Sequence, residues 1–159
     1  MVKKIISGGQ TGADQGGLWA AHECGIPTGG YAPRNFLTED GPNPDRLKFY
    51  NLIDSGLGYV GRTRLNAQAA DVTLWFGKGD TPGYKATFRE VKQDGKIFVN
   101  ATKLSIESIA EIIQSCDVVN IAGNRESKLP GIFRVVGDTM KAALLLIKEG
   151  KVNVQSRLI

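Results

Sequence analysis

Short, almost wholly apolar runs alternate along this chain with runs of helical spacing. The apolar runs lie at residues 2–6, 71–76, 96–99 and 117–122. Their length and composition are typical of strands that are buried on both faces of a parallel sheet. Amphipathic runs and their boundary residues predict helices at residues 11–24, 62–70, 84–94, 105–113 and 130–147. This alternation predicts an α/β fold in three layers (α/β/α), with a doubly wound, mainly parallel sheet.

Two parts of the chain break the alternation. Residues 27–61 are heavily punctuated by Gly and Pro, and only Thr28 to Tyr31 resembles a strand there. Loops of this length are usually functional or disordered, and the aromatic content speaks against disorder. We therefore expect an ordered lid or rim, or alternatively a loop that covers an oligomer interface. Its charged side chains are Arg34, Glu39, Asp40 and Arg46 among others. Near the end, residues 152–154 could add an edge strand.

Three polar, glycine-containing loops follow three of the predicted core strands. They lie at residues 7–12, 77–81 and 123–127. Parallel sheets bind ligands at the carboxyl ends of their strands, close to the point where the strand order reverses. Because these ends meet at one edge of the sheet, we expect the three loops to converge on a site for a polyanion.

The first of these loops, Ser7–Asp14, connects a strand to a helix and has the composition of a phosphate loop. Glycines accept positive φ and allow close approach, and the amides of a helix N-terminus favour anions. The spacing matches neither the P-loop nor the dinucleotide fingerprint. Asp14 is expected to accept a hydrogen bond from a hydroxyl group of the ligand. Thr11 and Asp14 have a structural alternative, because they are spaced as a capping box.

Arg62 and Arg64 stand at the start of a predicted helix. Cations at that position oppose the helix dipole, so capping does not explain them. Guanidinium groups suit phosphate or carboxylate. We expect Arg62 to contact an anion, and the alternative is a surface ion pair with Asp40 or Asp45.

Composition narrows the class of protein. The 159 residues fit one domain, taken as residues 1–159, and 42% hydrophobic with 23% charged residues is typical of a globular chain. No apolar run or leader predicts membrane insertion or secretion, so we expect a cytoplasmic protein. Two cysteines and one histidine are too few for a metal cluster. The scattered net charge of +4 suits anionic ligands and makes nucleic acid an improbable partner.

Several motifs together resemble one family. They are Ile6–Asp14, Gly25–Gly30, Ala32–Pro33, Glu39–Pro42, Arg62–Thr63 with Asn66, Asp71–Leu74, Val119–Lys128 and Pro130–Gly131. In these segments the chain resembles the "putative molybdenum cofactor carrier" family, the circularly permuted, YpsA-like branch of the SLOG group that includes the LOG enzymes. The resemblance implies a Rossmann-like fold. The loop at residues 77–87 departs from the family pattern, which puts the identity of the ligand in question.

The resemblance also implies site residues when it is carried over position by position. The first loop would cradle a phosphate, the second loop would face it, the arginine helix would add charge, and the last loop would complete the rim. The implied ligand-binding residues are Gly8, Gly9, Gln10, Thr11, Gly12, Arg62, Thr63, Asn66, Gly79, Thr81, Thr87, Gly123, Arg125, Glu126 and Ser127. Asp14 is added to them from the composition of the first loop.

Two functions are compatible with these residues. The first is a binding protein for a phosphorylated ligand, either a molybdenum cofactor or a nucleotide, that acts as carrier, sensor or sequestering protein and forms a homo-oligomer. The second is a nucleotide N-glycosidase of the LOG type, which needs a carboxylate beside the phosphate. Glu90 and Glu126 are the candidates, although Glu90 could instead be an exposed helical residue paired with Lys. The chain lacks the Pro-Gly-Gly-x-Gly-Thr-x-x-Glu motif that is typical of the LOG enzymes, so we favour binding over catalysis.

Overall fold

The computed structural model describes residues 1–152, and its centre is a six-stranded parallel sheet. The strands of the main sheet are β1 (Lys4–Ser7), β2 (Thr28–Ala32), β5 (Leu52–Asp54), β6 (Val72–Phe76), β7 (Ile97–Asn100) and β8 (Val118–Gly123). Two short strands, β3 (Leu37–Thr38) and β4 (Gly41–Pro42), form a separate antiparallel hairpin. The sheet order is β5-β2-β1-β8-β6-β7, which places β8, the last strand of the described residues, at the centre beside β1.

In the part of the chain that the structure describes, six helices surround the sheet. They are α1 (Ala13–Glu23), α2 (Pro44–Phe49), α3 (Tyr59–Ala69), α4 (Pro82–Gln93), α5 (Ile106–Ile113) and α6 (Ile132–Lys148). Helix α6 packs against both α1 and α5, whereas α3 packs against α4. The sheet therefore has helices on both faces, and the predicted three-layer α/β/α class is confirmed. Within residues 1–152, no helix has the length and apolar character that crossing a membrane requires.

The strand pattern explains why the sheet lies at the centre of the core. All five residues of β6 are buried, and on β1 only Lys4 is exposed. A strand buried on both faces needs apolar residues without alternation, which is the pattern that the sequence has there. The strand expected at residues 152–154 lies outside the described part of the chain, apart from residue 152.

The prediction for residues 27–61 was wrong in part, because this region has more regular structure than a long loop. It contains β2, β5, α2, the β3–β4 hairpin and a short 3₁₀ turn at Arg34–Phe36. Strand β2 pairs with both β1 and β5, so the region extends the main sheet to its edge. Its buried apolar residues are Ala32, Leu47, Tyr50 and Leu52. Their spacing along the chain matches neither a helical nor a strand periodicity.

Three predicted helix starts were also wrong. Helix α1 begins after Gly12, at φ 81°, and no side chain caps it, so Thr11 and Asp14 form no capping box. Helix α6 begins after Gly131, at φ 92°, rather than at Pro130. Helix α3 begins at Tyr59, so Arg62 lies one turn inside it. The left-handed backbone at the two glycines explains why the chain turns sharply into α1 and α6.

Candidate functional site

A cavity of about 470 Å³ opens at the carboxyl ends of β1, β8 and β6. Helices α3 and α4 contribute its walls, and side chains of β6 and β8 contribute its floor. The volume is within the range of small-molecule sites in proteins. The cavity lies where the sequence predicts that the polar loops converge.

Ten of the sixteen predicted ligand-binding residues line this cavity. They are Gly8, Gln10, Asp14, Arg62, Thr63, Asn66, Thr81, Thr87, Gly123 and Arg125. The other six lie off its lining, and they are Gly9, Thr11, Gly12, Gly79, Glu126 and Ser127. All three loops contribute to the surroundings of the cavity, but their glycines and hydroxyls serve mainly to join the loops to one another.

Three backbone amides of the first loop are already hydrogen-bonded within the protein. The amide of Gln10 donates to Oδ2 of Asp14 at 3.1 Å, and that of Thr11 donates to Oε1 of Gln10 at 3.0 Å. The amide of Ala13 donates to the carbonyl of Asn124 at 3.1 Å. These three N–H groups are therefore not available to a phosphate as the loop stands, which differs from the expected cradle.

The glycines of the loops make room for other parts of the protein. A Cβ on Gly8 would lie 1.9 Å from Nη1 of Arg62, so the guanidinium fills the space above this residue. A Cβ on Gly12, which has φ 81°, would lie 2.5 Å from the carbonyl oxygen of Asn124. The first glycine thus admits the arginine to the cavity, and the second lets the first and third loops touch.

Asp14 and Arg62 form an ion pair at the cavity, with 3.5 Å between Oδ2 and Nη1. Their side chains are only 5% and 12% exposed. Burial raises the pKa of Asp14 to about 6, although Arg62 opposes the rise, and burial also lowers the pKa of Arg62. Desolvation thus outweighs the attraction at both partners. The surface ion pair with Asp40 or Asp45 was the wrong alternative, because the partner of Arg62 is Asp14.

The mouth of the cavity is basic. Among the described residues, three cations, Arg62, Arg125 and Lys128, line it against the single carboxylate of Asp14. The guanidinium carbons of Arg62 and Arg125 lie 5.6 and 5.9 Å from the ring centre of Tyr59, and so the ring lies near both cations. Within residues 1–152 neither Arg125 nor Lys128 has an ion-pair partner.

Helix α4 directs its N-terminus at the same space. Thr81, Pro82 and Gly83 line the cavity, and the hydroxyl of Thr81 caps the helix by accepting from the amide of Tyr84 at 3.2 Å. The positive end of the helix dipole therefore adds to the charge of the arginines.

The β3–β4 hairpin is fastened to two of the loops through Glu39. The carboxylate of Glu39 accepts hydrogen bonds from the hydroxyls of Thr11 and Ser127, and its amide donates to Oε1 of Gln10 at 2.8 Å. Burial alone would raise the pKa of Glu39, but the hydrogen bonds from Ser127 and Thr11 lower it. The carboxylate of Glu39 therefore bridges the first and third loops.

Two asparagines fix the neighbouring elements. The side-chain amide of Asn66 accepts from the backbone N–H of Tyr31 at 2.8 Å and donates to its carbonyl at 3.0 Å, which fastens α3 to β2. Oδ1 of Asn124 accepts from the amide of Lys78 at 2.6 Å, and so the third loop supports the second. Asn66 lines the cavity, but its hydrogen bonds are already made.

Neither candidate catalytic glutamate lines the cavity. Glu90 is buried on α4 and pairs with Arg89 at 3.3 Å, so the expectation of an exposed residue paired with Lys was wrong. Glu126 accepts hydrogen bonds from the amides of Gly131 and Phe133, the latter at 3.0 Å. Its carboxylate therefore caps the N-terminus of α6.

We expect Glu126→Ala to lower the free energy of unfolding by about 1–2 kcal/mol, because it leaves two amides of α6 without an acceptor. Urea denaturation measures this loss. Glu111→Ala is the control and should change little, because Glu111 is half-buried on α5 and, among the described residues, its carboxylate accepts no hydrogen bond. Binding of anions at the cavity should stay the same in both variants, and a loss of binding in Glu126→Ala alone would contradict the capping role.

Sequence reasoning missed several residues of the lining. Trp75, Asn120, Tyr59, Asn124 and Lys128 all contribute to it. Asn120 gave a usable signal, since it is the one polar side chain within the apolar run of β8. Trp75 gave none, because a tryptophan in a buried strand is normally a core residue.

The chain is similar to known proteins in both sequence and fold. The circularly permutated YpsA SLOG family matches residues 5–144. A solved structure from Syntrophus aciditrophicus SB, called "Putative molybdenum carrier protein", is similar at 35% sequence identity with a TM-score of 0.77. The similarity covers 90% of this chain and 95% of that one. A comparison with curated proteins finds no match.

Proposed function

Because the chain belongs to the circularly permutated YpsA SLOG family, we propose that its cavity binds a small phosphorylated molecule, which the protein carries, senses or sequesters. The observation that carries the proposal is the basic mouth, where Arg62, Arg125 and Lys128 face one carboxylate beside the N-terminus of α4. Unpaired cations at a concave site attract and hold anions.

A nucleotide and a molybdenum cofactor are the two ligand classes that fit this proposal. Both combine a phosphate with a planar heterocycle. The molybdenum cofactor is supported by the name of the similar protein from Syntrophus aciditrophicus SB. In either case the phosphate would lie at the basic mouth, and a molybdenum atom would arrive as cargo that its own pterin holds.

Catalysis of the LOG type has less support. Such chemistry needs a carboxylate beside the sugar, and among the described residues the lining has only that of Asp14. Asp14 is engaged by Arg62 and by the amide of Gln10. Release of a free base from nucleoside monophosphates, abolished in Asp14→Asn, would establish the enzyme instead.

Native mass spectrometry of the purified protein tests the proposal first. Denaturation should release a phosphorylated pterin or an intact nucleotide, and either identifies the cargo. If the purified protein holds no ligand, titration with GMP and with inorganic phosphate decides whether it binds phosphorylated molecules. Failure of both to bind at millimolar concentration would refute the proposed function.

The contribution of the mouth can be measured with one arginine. We expect Arg125→Ala to weaken binding of GMP by about 10- to 100-fold, because it removes a charge-assisted hydrogen bond worth about 1.5–3 kcal/mol. Arg134→Ala is the matched control, since Arg134 is exposed on α6 outside the cavity. Isothermal titration calorimetry measures both. Equal affinities for the two variants would place the anion elsewhere.

A further inference from the structure

The floor of the cavity and the first loop beside it hold polar atoms that the protein leaves without hydrogen bonds. Within residues 1–152, Nε1 of Trp75, Oδ1 of Asn120 and Nε2 of Gln10 have no partner. The three residues are 1%, 3% and 7% exposed, and all three line the cavity. Among the same described residues, Nε of Arg62, at the cationic mouth, is unpaired as well. Buried polar groups are nearly always paired in proteins, so the three neutral unpaired groups around this cavity need an explanation.

The strand register places two of these residues on the same side of the sheet. Thr73 pairs with Asn120 across β6 and β8, and its hydroxyl lies 3.2 Å from Nδ2 of Asn120. Trp75 is two residues beyond Thr73 and therefore shares its face. The ring of Trp75 meets the ring of Tyr84 on α4, with 5.2 Å between centroids. Trp75 and Asn120 thus form the floor beneath α3 and α4.

The third group belongs to a side chain whose orientation is fixed. Oε1 of Gln10 accepts from the amides of Thr11 and Glu39, at 3.0 and 2.8 Å. Because both neighbours are donors, the carbonyl end of the amide must face them, and the NH₂ end remains as the unpaired donor. The hydrogen bond from the amide of Glu39 therefore fixes the position of the Gln10 NH₂ donor at the cavity.

These groups differ in chemistry from the mouth. The mouth is cationic, whereas the floor offers two neutral donors and one neutral acceptor beside an aromatic ring. A phosphate needs only donors and cations, so the floor suits a different part of the ligand. Neutral donors and acceptors beside an indole are suited to the edge of a planar heterocycle.

We propose that Trp75, Asn120 and Gln10 form a subsite for the neutral, planar nitrogen heterocycle of the phosphorylated ligand. The N–H groups of Trp75 and Gln10 donate to ring acceptors, and Oδ1 of Asn120 accepts from a ring or amino N–H. Purine bases and pterins share this edge chemistry. The subsite rests on the proposed function and gives the ligand one orientation, with its ring at the floor and its phosphate at the mouth.

The experiment compares phosphorylated probes with and without a ring. GMP and neopterin monophosphate each have one, and ribose 5-phosphate has the phosphate alone. We expect both ring-bearing probes, or one of them, to bind at least tenfold more tightly than ribose 5-phosphate. The tighter of the two identifies the source as a nucleotide or a pterin.

Variants at the floor separate recognition from structure. Trp75→Phe removes an N–H but keeps an aromatic ring, and Asn120→Leu removes the acceptor at similar volume. Each should weaken the ring-bearing probe about tenfold, as the loss of one hydrogen bond predicts, and change ribose 5-phosphate less than twofold. Tyr84→Phe is the control, since Tyr84 touches Trp75 but does not line the cavity. A merely structural role would weaken all probes alike.

The outcomes separate the two proposals. If ribose 5-phosphate binds as tightly as GMP and neopterin monophosphate, the subsite is refuted while phosphate binding stands. Equal losses for all probes in the floor variants would also refute the subsite. If no probe binds, inorganic phosphate included, the proposed function fails and the subsite with it.

Discussion

Replacement of Arg62 by leucine is expected to lower the free energy of unfolding by about 3–5 kcal/mol at pH 8, because it leaves a buried carboxylate without its cation. Asp14 is 5% exposed in its side chain and lies 3.5 Å from Arg62. Its remaining backbone donor is the amide of Gln10. Leucine at position 62 would restore neither the charge nor the hydrogen bonds.

The loss should shrink as the pH falls. Burial raises the pKa of Asp14 to about 6 in the folded protein, above its ordinary value of 3.8. The folded state therefore binds this proton more tightly than the unfolded chain. The contribution of Asp14 to stability is fully present below pH 3.8 and is lost as the pH rises through 6. At pH 5 much of the carboxyl is neutral, and the missing cation matters less.

Urea denaturation at pH 5 and pH 8 measures both effects. Arg64→Leu is the matched control, because Arg64 is exposed on the same helix and its replacement should change stability by less than about 0.5 kcal/mol. The double variant Asp14→Asn with Arg62→Leu should regain most of the loss at pH 8. If Arg62→Leu lost equal stability at both pH values, the buried pair would not be its cause.

This pair shows why the site could be predicted only in part. The prediction that Arg62 contacts an anionic group assumed that it opens a helix, where a cation opposes the dipole. The helix begins at Tyr59, so that premise was wrong although Arg62 does contact a carboxylate. The sequence could not name Asp14, which is 48 positions away along the chain on another element. A partner of that kind is fixed by how α1 and α3 pack on the two faces of the sheet, and a single sequence contains no local pattern for it.

The fold was more predictable where burial is symmetric. Strands β1, β6 and β8 follow from continuous apolar runs, since a central parallel strand must be apolar on both faces. Strand β7 was also predicted from an apolar run, although it lies at an edge of the sheet and none of its residues is fully buried. Strand β5 could not be predicted in this way, because it lies at the edge of the sheet and two of its three residues are exposed. Its identity depends on pairing with β2, which only the assembled sheet supplies.

Glycines illustrate a second limit. The pattern of the loops indicates that space is needed at these positions, but not what occupies the space. Gly8 gives room to Arg62, and Gly12 gives room to the backbone of the third loop. Both were expected to admit a phosphate. A glycine that admits a ligand and one that admits another part of the chain are identical in the sequence.

Two glycines that were both expected to bind ligand allow this distinction to be measured. A Cβ on Gly123 would lie 2.1 Å from the carbonyl oxygen of Phe76 and 2.5 Å from Cβ of Ala13. On Gly79 it would meet nothing closer than 3.9 Å. We expect Gly123→Ala to cost about 3 kcal/mol or more in unfolding free energy, because backbone cannot move aside as a flexible side chain can. Gly79→Ala should change it by less than about 0.5 kcal/mol.

Urea denaturation of the two variants, with thermal unfolding as a check, decides between a packing role and a ligand role for Gly123. The carbonyl of Phe76 accepts the amide of Asn124 at 3.1 Å, so a methyl group at position 123 would push the third loop away from β6. The mouth of the cavity would then lose its geometry together with its stability. If Gly123→Ala were as stable as Gly79→Ala and lost only GMP binding, the close contact would be wrong and Gly123 would face the ligand directly.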